Sequence, residues 1–115
     1  MSTLADRVPL ALCITRYGLT RARVVAAIPT LTPGLYVAWS SNYDSYAIVH
    51  NSGLTVAYGW DRAHYAVAAA EDLLVAEAID WTGSPEKVRA ASYQTIHDVA
   101  AAITQHYGKF VHSLA

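Results

Sequence analysis

Five histidines are the side chains in this sequence best suited to metal binding or acid–base catalysis. A helical zinc site favours two histidines with three residues between them, and no two histidines here have that spacing. His50, Asp61 and His64 could meet if the fold brought element ends together, and an imidazole beside a carboxylate can perform acid–base hydrolysis. Asp61 is equally suited to cap a helix, so we favour ordinary histidines. We predict no catalytic residues, no metal site and no cofactor, with a small hydrolase as the weakest alternative.

Cysteine and glycine add no chemical signature. Cys13 is the only cysteine, and its apolar neighbours Leu12 and Ile14 predict a buried, inert thiol. The glycines are scattered as turn residues and never form a phosphate-binding loop. Because a single cysteine allows no intrachain disulfide, we expect a cytoplasmic protein.

The basic residues of segment 13–28 are the candidates for nucleic-acid binding. This segment resembles a helix-turn-helix motif, with a glycine in the turn and arginines on the second helix that could meet phosphates or guanine edges. It departs from the motif at Ile14, where a small residue normally lets the helices approach, and at Val25, where a polar side chain should read bases. The net charge of -1 also lacks the basic excess of this class. DNA binding is therefore our alternative function, through Arg16, Arg21 and Arg23.

Tyrosine and tryptophan dominate the aromatic residues, with eight tyrosines and three tryptophans against one phenylalanine. Rings with a polar tip suit surfaces that are partly wet and partly apolar, and they are common in interface hot spots. Such rings could instead fill the gap between a sheet and alanine-rich helices. We predict that some of the rings in or beside the central strands form an interface: Trp39, Tyr43, Tyr46, Tyr58, Trp60 and Tyr65.

The elements that must position these side chains are those of an α+β domain. Three runs rich in β-branched and aromatic residues, near 35–39, 46–50 and 54–58, are separated by turn residues. They predict a three-stranded antiparallel meander over about 35–59.

The second turn of this meander allows two registers. A three-residue loop places Gly53 in a left-handed conformation and Ile48 opposite Val56, whereas a two-residue loop places Ile48 opposite Ala57. We prefer the three-residue loop because it groups the large side chains, including Tyr58, on the same face as Ile48.

Helices are expected on both sides of the meander, two of them N-terminal, over 7–17 and 21–28. Within 7–17 the alternation of larger and smaller residues has the period of a strand, so helix and strand both stay open there. After the meander, Asp61 as a cap predicts a helix over 62–79. A Ser-Pro pair predicts a last helix over 85–107.

The end of the chain is simpler. We expect Gly108 to close the last helix. Residues 109–115 are predicted to form a short tail.

The composition favours one apolar domain, residues 1–115. With 54% hydrophobic and 15% charged residues, the chain is more apolar than an ordinary soluble domain, so part of its surface is expected to be shared with a partner. No apolar stretch is long enough to predict a membrane span. We predict a small non-enzymatic protein-interaction module, a regulator, adaptor or inhibitor that binds another protein, most simply a second copy as a homodimer. The high alanine content is common in bacterial or phage sequences.

Overall fold

The computed structural model describes residues 10–14, 23–41, 43–53, 55–73, 81–83 and 93–110. The α+β class is confirmed, since this part of the chain contains a single sheet and two helices. The strands lie in the order β1-β2-β3-β4-β5-β6, and all neighbours are antiparallel. In chain order the elements are β1 (Leu10–Ile14), β2 (Arg23–Pro29), β3 (Leu35–Ser40), β4 (Ser45–His50), β5 (Thr55–Trp60), α1 (Ala63–Asp72), α2 (Tyr93–Gln105) and β6 (Lys109–Phe110).

The chain forms β1 and β2 where N-terminal helices were expected: the helix over 21–28 is wrong, and of the two alternatives for 7–17 the strand is confirmed over Leu10–Ile14. β1 pairs with β2 from Leu10 opposite Ala27 to Ile14 opposite Arg23. The alternating pattern before the first turn and the β-branched residues of β2 both suit a pleated strand. The helix-turn-helix over 13–28 is therefore wrong as a fold, since a strand replaces its second helix. Residues 15–22 lie outside the described part.

The predicted three-strand meander is the centre of a larger sheet. Its strands β3, β4 and β5 begin and end within two residues of the predicted bounds. β2 covers one edge of the meander by pairing Ile28 with Val37. β6 covers the other edge by pairing Lys109 with Tyr58. The count of three strands is thus wrong, and the first two residues of the predicted tail belong to the sheet.

The predicted register between β4 and β5 is correct next to the turn, where Val49 lies opposite Thr55, and is wrong beyond it, because β5 carries two extra residues. Ile48 lies opposite Ala57 and Tyr46 opposite Trp60, with register shifts on both sides of the Ala47–Ile48 pair. Such bulges turn neighbouring side chains to the same face. Ala57 and Ile48 therefore share one core cluster, whereas Tyr58 lies on the opposite face of the sheet. Gly53 does adopt the predicted left-handed conformation, with φ 93°.

Both C-terminal helices are present, with different ends from those predicted. Arg62 is the N-cap of α1 and makes no side-chain capping bond, so the cap predicted at Asp61 is wrong. α1 ends at Asp72 and α2 begins at Tyr93. The remaining parts of the two predicted helices, residues 74–80 and 85–92, fall outside the described residues.

The end of α2 differs from the predicted glycine stop. Tyr107, with φ 64°, is the left-handed residue. The Gly108 amide donates to the Ile103 carbonyl and the Tyr107 amide to the Thr104 carbonyl. These two bonds form a Schellman motif, which normally places glycine at the left-handed position.

The main core lies between one face of the sheet and the two helices. It combines residues of β3, β4 and β5 with the inward residues of α1 and α2 and with Trp81. A smaller cluster of Ala27, Ala38, Ala47 and Val49 lies on the other face, under Tyr36 and Tyr58. No helix in the described ranges is long and apolar enough to cross a membrane.

The two ends of the β3–β4 hairpin have different surroundings. The closed end comprises Leu35 and His50 with the segments 30–34, 51–53 and 81–83. The open end comprises residues 39–41 and 43–46 with Trp60, which lies opposite Tyr46.

Candidate functional site

The open end carries a row of three large rings on the helix-facing side of the sheet. Trp39 lies opposite Tyr46 on the neighbouring strand, and Tyr46 lies opposite Trp60 on the next. The rings of Trp39 and Tyr46 meet edge to face, with centroids 5.2 Å apart and planes at 83°. This geometry is favourable for aromatic pairs because the positive edge of one ring meets the negative face of the other.

Trp60 is the fixed member of this row. Its side chain is only 3% exposed, and its Nε1 donates a 2.8 Å hydrogen bond to the His106 carbonyl. Gly108 lies directly against the indole, since a Cβ atom there would come within 2.2 Å of the ring. Trp60 therefore anchors the end of α2 to the sheet, and its role in the described structure is packing.

Trp39 is the exposed member of the row. It is 46% exposed, whereas Tyr46 is half-buried against the core. The backbone on either side is well ordered by hydrogen bonds: Ser40 pairs with Ser45, and the Ser45 Oγ accepts from the Gly59 amide at 2.9 Å. A strand thus holds a large ring toward solvent in a defined orientation.

The other predicted interface residues lie outside this row of rings. Tyr65, 51% exposed, lies in the first turn of α1. Its ring lies beside that of His64, with centroids 4.2 Å apart. Tyr43 and Tyr58 stack on each other, with centroids 4.0 Å apart, and Tyr58 belongs to the opposite face of the sheet. The structure therefore brings together Trp39, Tyr46 and Trp60 in one row and Tyr43 and Tyr58 in a separate stacked pair, with Tyr65 on α1.

The predicted hydrolase residues are not assembled. Tyr46 lies opposite Trp60, so Asp61 and His64 follow the open end. His50 lies at the closed end, four residues and about 13 Å further along β4. Within the described ranges, no group of three histidine, cysteine or acidic residues could hold a metal ion.

His50 nevertheless has an unusual environment, which the sequence did not indicate. The side chain is completely buried, and its Nδ1 lies 2.8 Å from the Ser52 Oγ and accepts from the Ser52 amide at 3.1 Å. Burial lowers the pKa of His50 below its ordinary value of 6.5, and the nearby backbone of Trp81 and Gly83 acts in the opposite direction.

Trp81 is the second residue that sequence reasoning missed, because it falls between the two predicted C-terminal helices. It is buried in the core, and its carbonyl lies against Gly34, where a Cβ atom would approach the oxygen to 2.1 Å. The available signal was Gly34 itself, a glycine after a proline, since such a turn glycine can mark a close approach of another segment.

Only one of the candidate nucleic-acid residues belongs to a described element. Arg16 and Arg21 lie outside the described residues, and Arg23 begins β2. Arg23 therefore lies on a strand and not on the helix that was predicted to present it. No protein-family model, curated protein or solved structure matches this chain.

Proposed function

We propose that this protein is a protein-interaction module that binds its partner through the open end, with a second copy of the chain as the partner. The observation that carries the proposal is the exposure of Trp39 on a strand, held edge to face by Tyr46. Tryptophan is the residue type most enriched in binding hot spots, where it fills a pocket on the partner.

The rigidity of Trp39 supports this role. Binding costs free energy for every side chain that must be immobilised, about 0.5–1.5 kcal/mol for a flexible one. Trp39 has few rotatable bonds and already packs on Tyr46. Binding should therefore cost little further side-chain entropy. Exposed polar residues follow the same strand ends, among them Ser41, Asp44 and Asp61. An apolar centre within a polar rim is the usual anatomy of a protein interface.

The edge of the sheet favours a second copy as the partner. Both edges of the predicted meander are occupied, by β2 and β6, so the terminal strand on one side is β1. Its sequence, LALCI, contains no charge and no proline. Natural edge strands commonly use those residues to prevent pairing with another chain. The same strand in a second copy would be a matching partner for β1.

Sedimentation velocity over a concentration series tests the proposal. The native chain is expected to dimerise, and Trp39→Ala is expected to weaken dimerisation at least tenfold, as loss of about 1.4 kcal/mol would. Leu31→Ala is the control, because it removes another exposed large apolar side chain, at the closed end. Ala11→Lys tests pairing through β1, with Ala68→Lys on the exposed side of α1 as its control.

Site-specific cross-linking separates the possible outcomes. A photoreactive residue at position 39 should capture a second copy, and the same residue at position 31, at the closed end, should not. Capture of a different protein at position 39 would keep the open end as the interface and overturn the homodimer. A concentration-independent monomer that captures nothing at position 39 would overturn the proposed function.

A further inference from the structure

Tyr107 lies beside the open end, although sequence reasoning did not include it among the interface rings. Both of its neighbours in the chain contact Trp60. The His106 carbonyl accepts the 2.8 Å hydrogen bond from the Trp60 Nε1, and a Cβ atom on Gly108 would come within 2.2 Å of the indole. The backbone at Tyr107 is therefore held next to the buried tryptophan of the row.

The strand order places Tyr107 and Trp39 on opposite sides of Trp60. Trp39 belongs to β3 and Trp60 to β5, and Tyr107 comes just before β6, which pairs with the other edge of β5. Neighbouring strands are about 4.8 Å apart, so three such steps put the backbones of Trp39 and Tyr107 roughly 14 Å apart. The covered centre of the row thus has one of these two rings on each side.

Exposed large apolar side chains are concentrated at this end. In the described part of the chain there are four of them: Leu31, Trp39, Tyr65 and Tyr107. Leu31 lies at the closed end, and Tyr65 packs beside the His64 ring in the first turn of α1. Tyr107 is the most exposed of the four, at 91%. Trp39 and Tyr107 are therefore the exposed rings that flank the centre of the row.

The backbone of Tyr107 has an unfavourable conformation. Its φ of 64° is left-handed, and it occupies the position of the Schellman motif where glycine is normally found. A side chain at this φ crowds the following carbonyl oxygen, and so exposed a ring forms few contacts within the chain that could offset the strain. Residues held in such conformations cluster at binding and catalytic sites. The strain at Tyr107 therefore points to a contact outside its own chain.

We propose that Tyr107 receives Trp39 of a second copy, so that the dimer contains two crossed Trp39–Tyr107 contacts. This inference rests on the proposed function, in which the open end binds a second copy. Every contact in a two-fold dimer is reciprocal, so an exposed ring needs a counterpart on the same surface. A half-turn about an axis that lies in the interface, at right angles to the row, brings each Trp39 to the partner's Tyr107. Tryptophan and tyrosine rings form favourable edge-to-face or offset pairs.

Exposed charges near the two rings favour the crossed arrangement. Asp44 lies in the turn that follows the strand of Trp39, and Lys109 lies two residues after Tyr107; both are exposed. Crossing brings each Asp44 toward the partner's Lys109, whereas a dimer with Trp39 against Trp39 brings two Asp44 carboxylates together. Asp72, which is bonded to the same turn as Tyr107, is already paired with a histidine. Opposite charges across an interface fix the register of the partners.

Photochemical cross-linking tests the crossed contact in the full chain. A photoreactive residue at position 39 is activated, the covalent dimer is isolated and digested with trypsin, and the attachment site is located by mass spectrometry. We expect attachment at residues 106–108, within the peptide 90–109. Attachment within the peptide 63–87, which contains Tyr65, or within 24–62, which contains Trp39, would overturn the crossed contact and leave the homodimer in place.

Sedimentation velocity of three variants tests the same contact by affinity. Tyr107→Gly should weaken dimerisation at least tenfold, as Trp39→Ala does, although it relieves the backbone strain of the monomer. Tyr107→Phe is the matched control, because it keeps the ring and removes only the hydroxyl, and it should dimerise as the native chain does. The double variant Trp39→Ala with Tyr107→Gly should be little weaker than Trp39→Ala alone, since either single change already removes both crossed contacts.

The outcomes separate the role of Tyr107 from the proposed function. Native dimerisation of Tyr107→Gly beside weak dimerisation of Trp39→Ala would contradict the role of Tyr107 and keep the open end as the interface. Additive losses in the double variant would also contradict it, because the two rings would then act independently. Native dimerisation of both single variants would remove the interface and the crossed contact together. Folding of each variant is checked by urea unfolding at a protein concentration where the native chain is monomeric.

Discussion

The two ends of the β3–β4 hairpin differ in how far other segments of the chain cover their side chains. At the closed end a histidine is completely buried, and at the open end a tryptophan is 46% exposed, although tryptophan is by far the more apolar side chain. At the closed end Thr32 bonds to the end of α1, Gly34 contacts Trp81, and the backbone of residues 81–83 lies next to His50. α1, the 30–34 turn and residues 81–83 therefore cover the side chains at this end. In the described part of the chain, Trp39 has only Tyr46 as an aromatic neighbour. Burial thus depends on segments that arrive from elsewhere in the chain.

A glycine beside a tryptophan occurs at both ends, with different consequences. Gly34 meets the backbone carbonyl of Trp81, and Gly108 meets the indole of Trp60. A backbone carbonyl in a packed segment can move only if the segment moves, so the closed end should tolerate substitution least.

The largest expected effect is that of Gly34→Ala, which would break the closed end. The new Cβ atom would lie 2.1 Å from the Trp81 oxygen, and the residue has φ 89°. Backbone strain and overpacking each cost about 1–3 kcal/mol, so we expect a loss of about 3 kcal/mol or more in the free energy of unfolding, measured by urea denaturation. Gly59→Ala is the matched control, because Gly59 also has a positive φ but no contact below 3.8 Å. Equal losses in both variants would contradict the close approach of Trp81.

Thr32→Val should weaken the same end by a smaller amount. The Thr32 hydroxyl is buried and donates a 2.6 Å hydrogen bond to the Ala70 carbonyl, which ties the turn before β3 to the end of α1. Valine has nearly the same shape but leaves that carbonyl without this donor, so we expect a loss of about 1–3 kcal/mol in thermal or urea unfolding. Thr32→Ser keeps the hydroxyl and should lose less. A valine variant as stable as the native chain would show that the bond contributes nothing.

Tyr107→Gly, near the open end, is expected to raise the stability of the fold by a smaller amount than the losses above. Tyr107 is 91% exposed, so its ring packs on little, and its left-handed backbone costs about 1 kcal/mol that glycine does not. The melting temperature should therefore rise, by several degrees for a domain of this size. Tyr107→Ala, which keeps the strain, should show no such rise. A lower melting temperature in the glycine variant would mean that the tyrosine makes a contact worth more than the strain.

Trp39→Ala is expected to cause the smallest loss of stability. It tests the comparison at the open end. Its exposed ring should contribute only the edge-to-face contact with Tyr46 and partial burial, about 1 kcal/mol. This substitution should thus reduce binding far more than folding. A loss of stability as large as that of Gly34→Ala would make Trp39 a core residue and remove the contrast between the two ends.

Local patterns in the sequence determined the centre of this fold. The three strands of the meander, the left-handed Gly53 and the two C-terminal helices follow from β-branched runs, turn residues and helix signals, all of which act within a few residues. The same reasoning failed for segment 21–28, where β2 forms because pairing with β1 and β3 outweighs a weak helical preference. It also failed for the β4–β5 register beyond the pair next to the turn, since bulges satisfy the packing of both faces and leave no local signal.

Only the tertiary structure decided which side chains are covered. The sequence presented Trp39, Trp60 and Trp81 as similar residues, and none of its local patterns indicated that α2 would anchor one of them, that Gly34 would receive the backbone of another, or that a strand end would leave the third in solvent. Those outcomes, and the burial of His50, depend on contacts between residues distant in the chain, which no local pattern encodes.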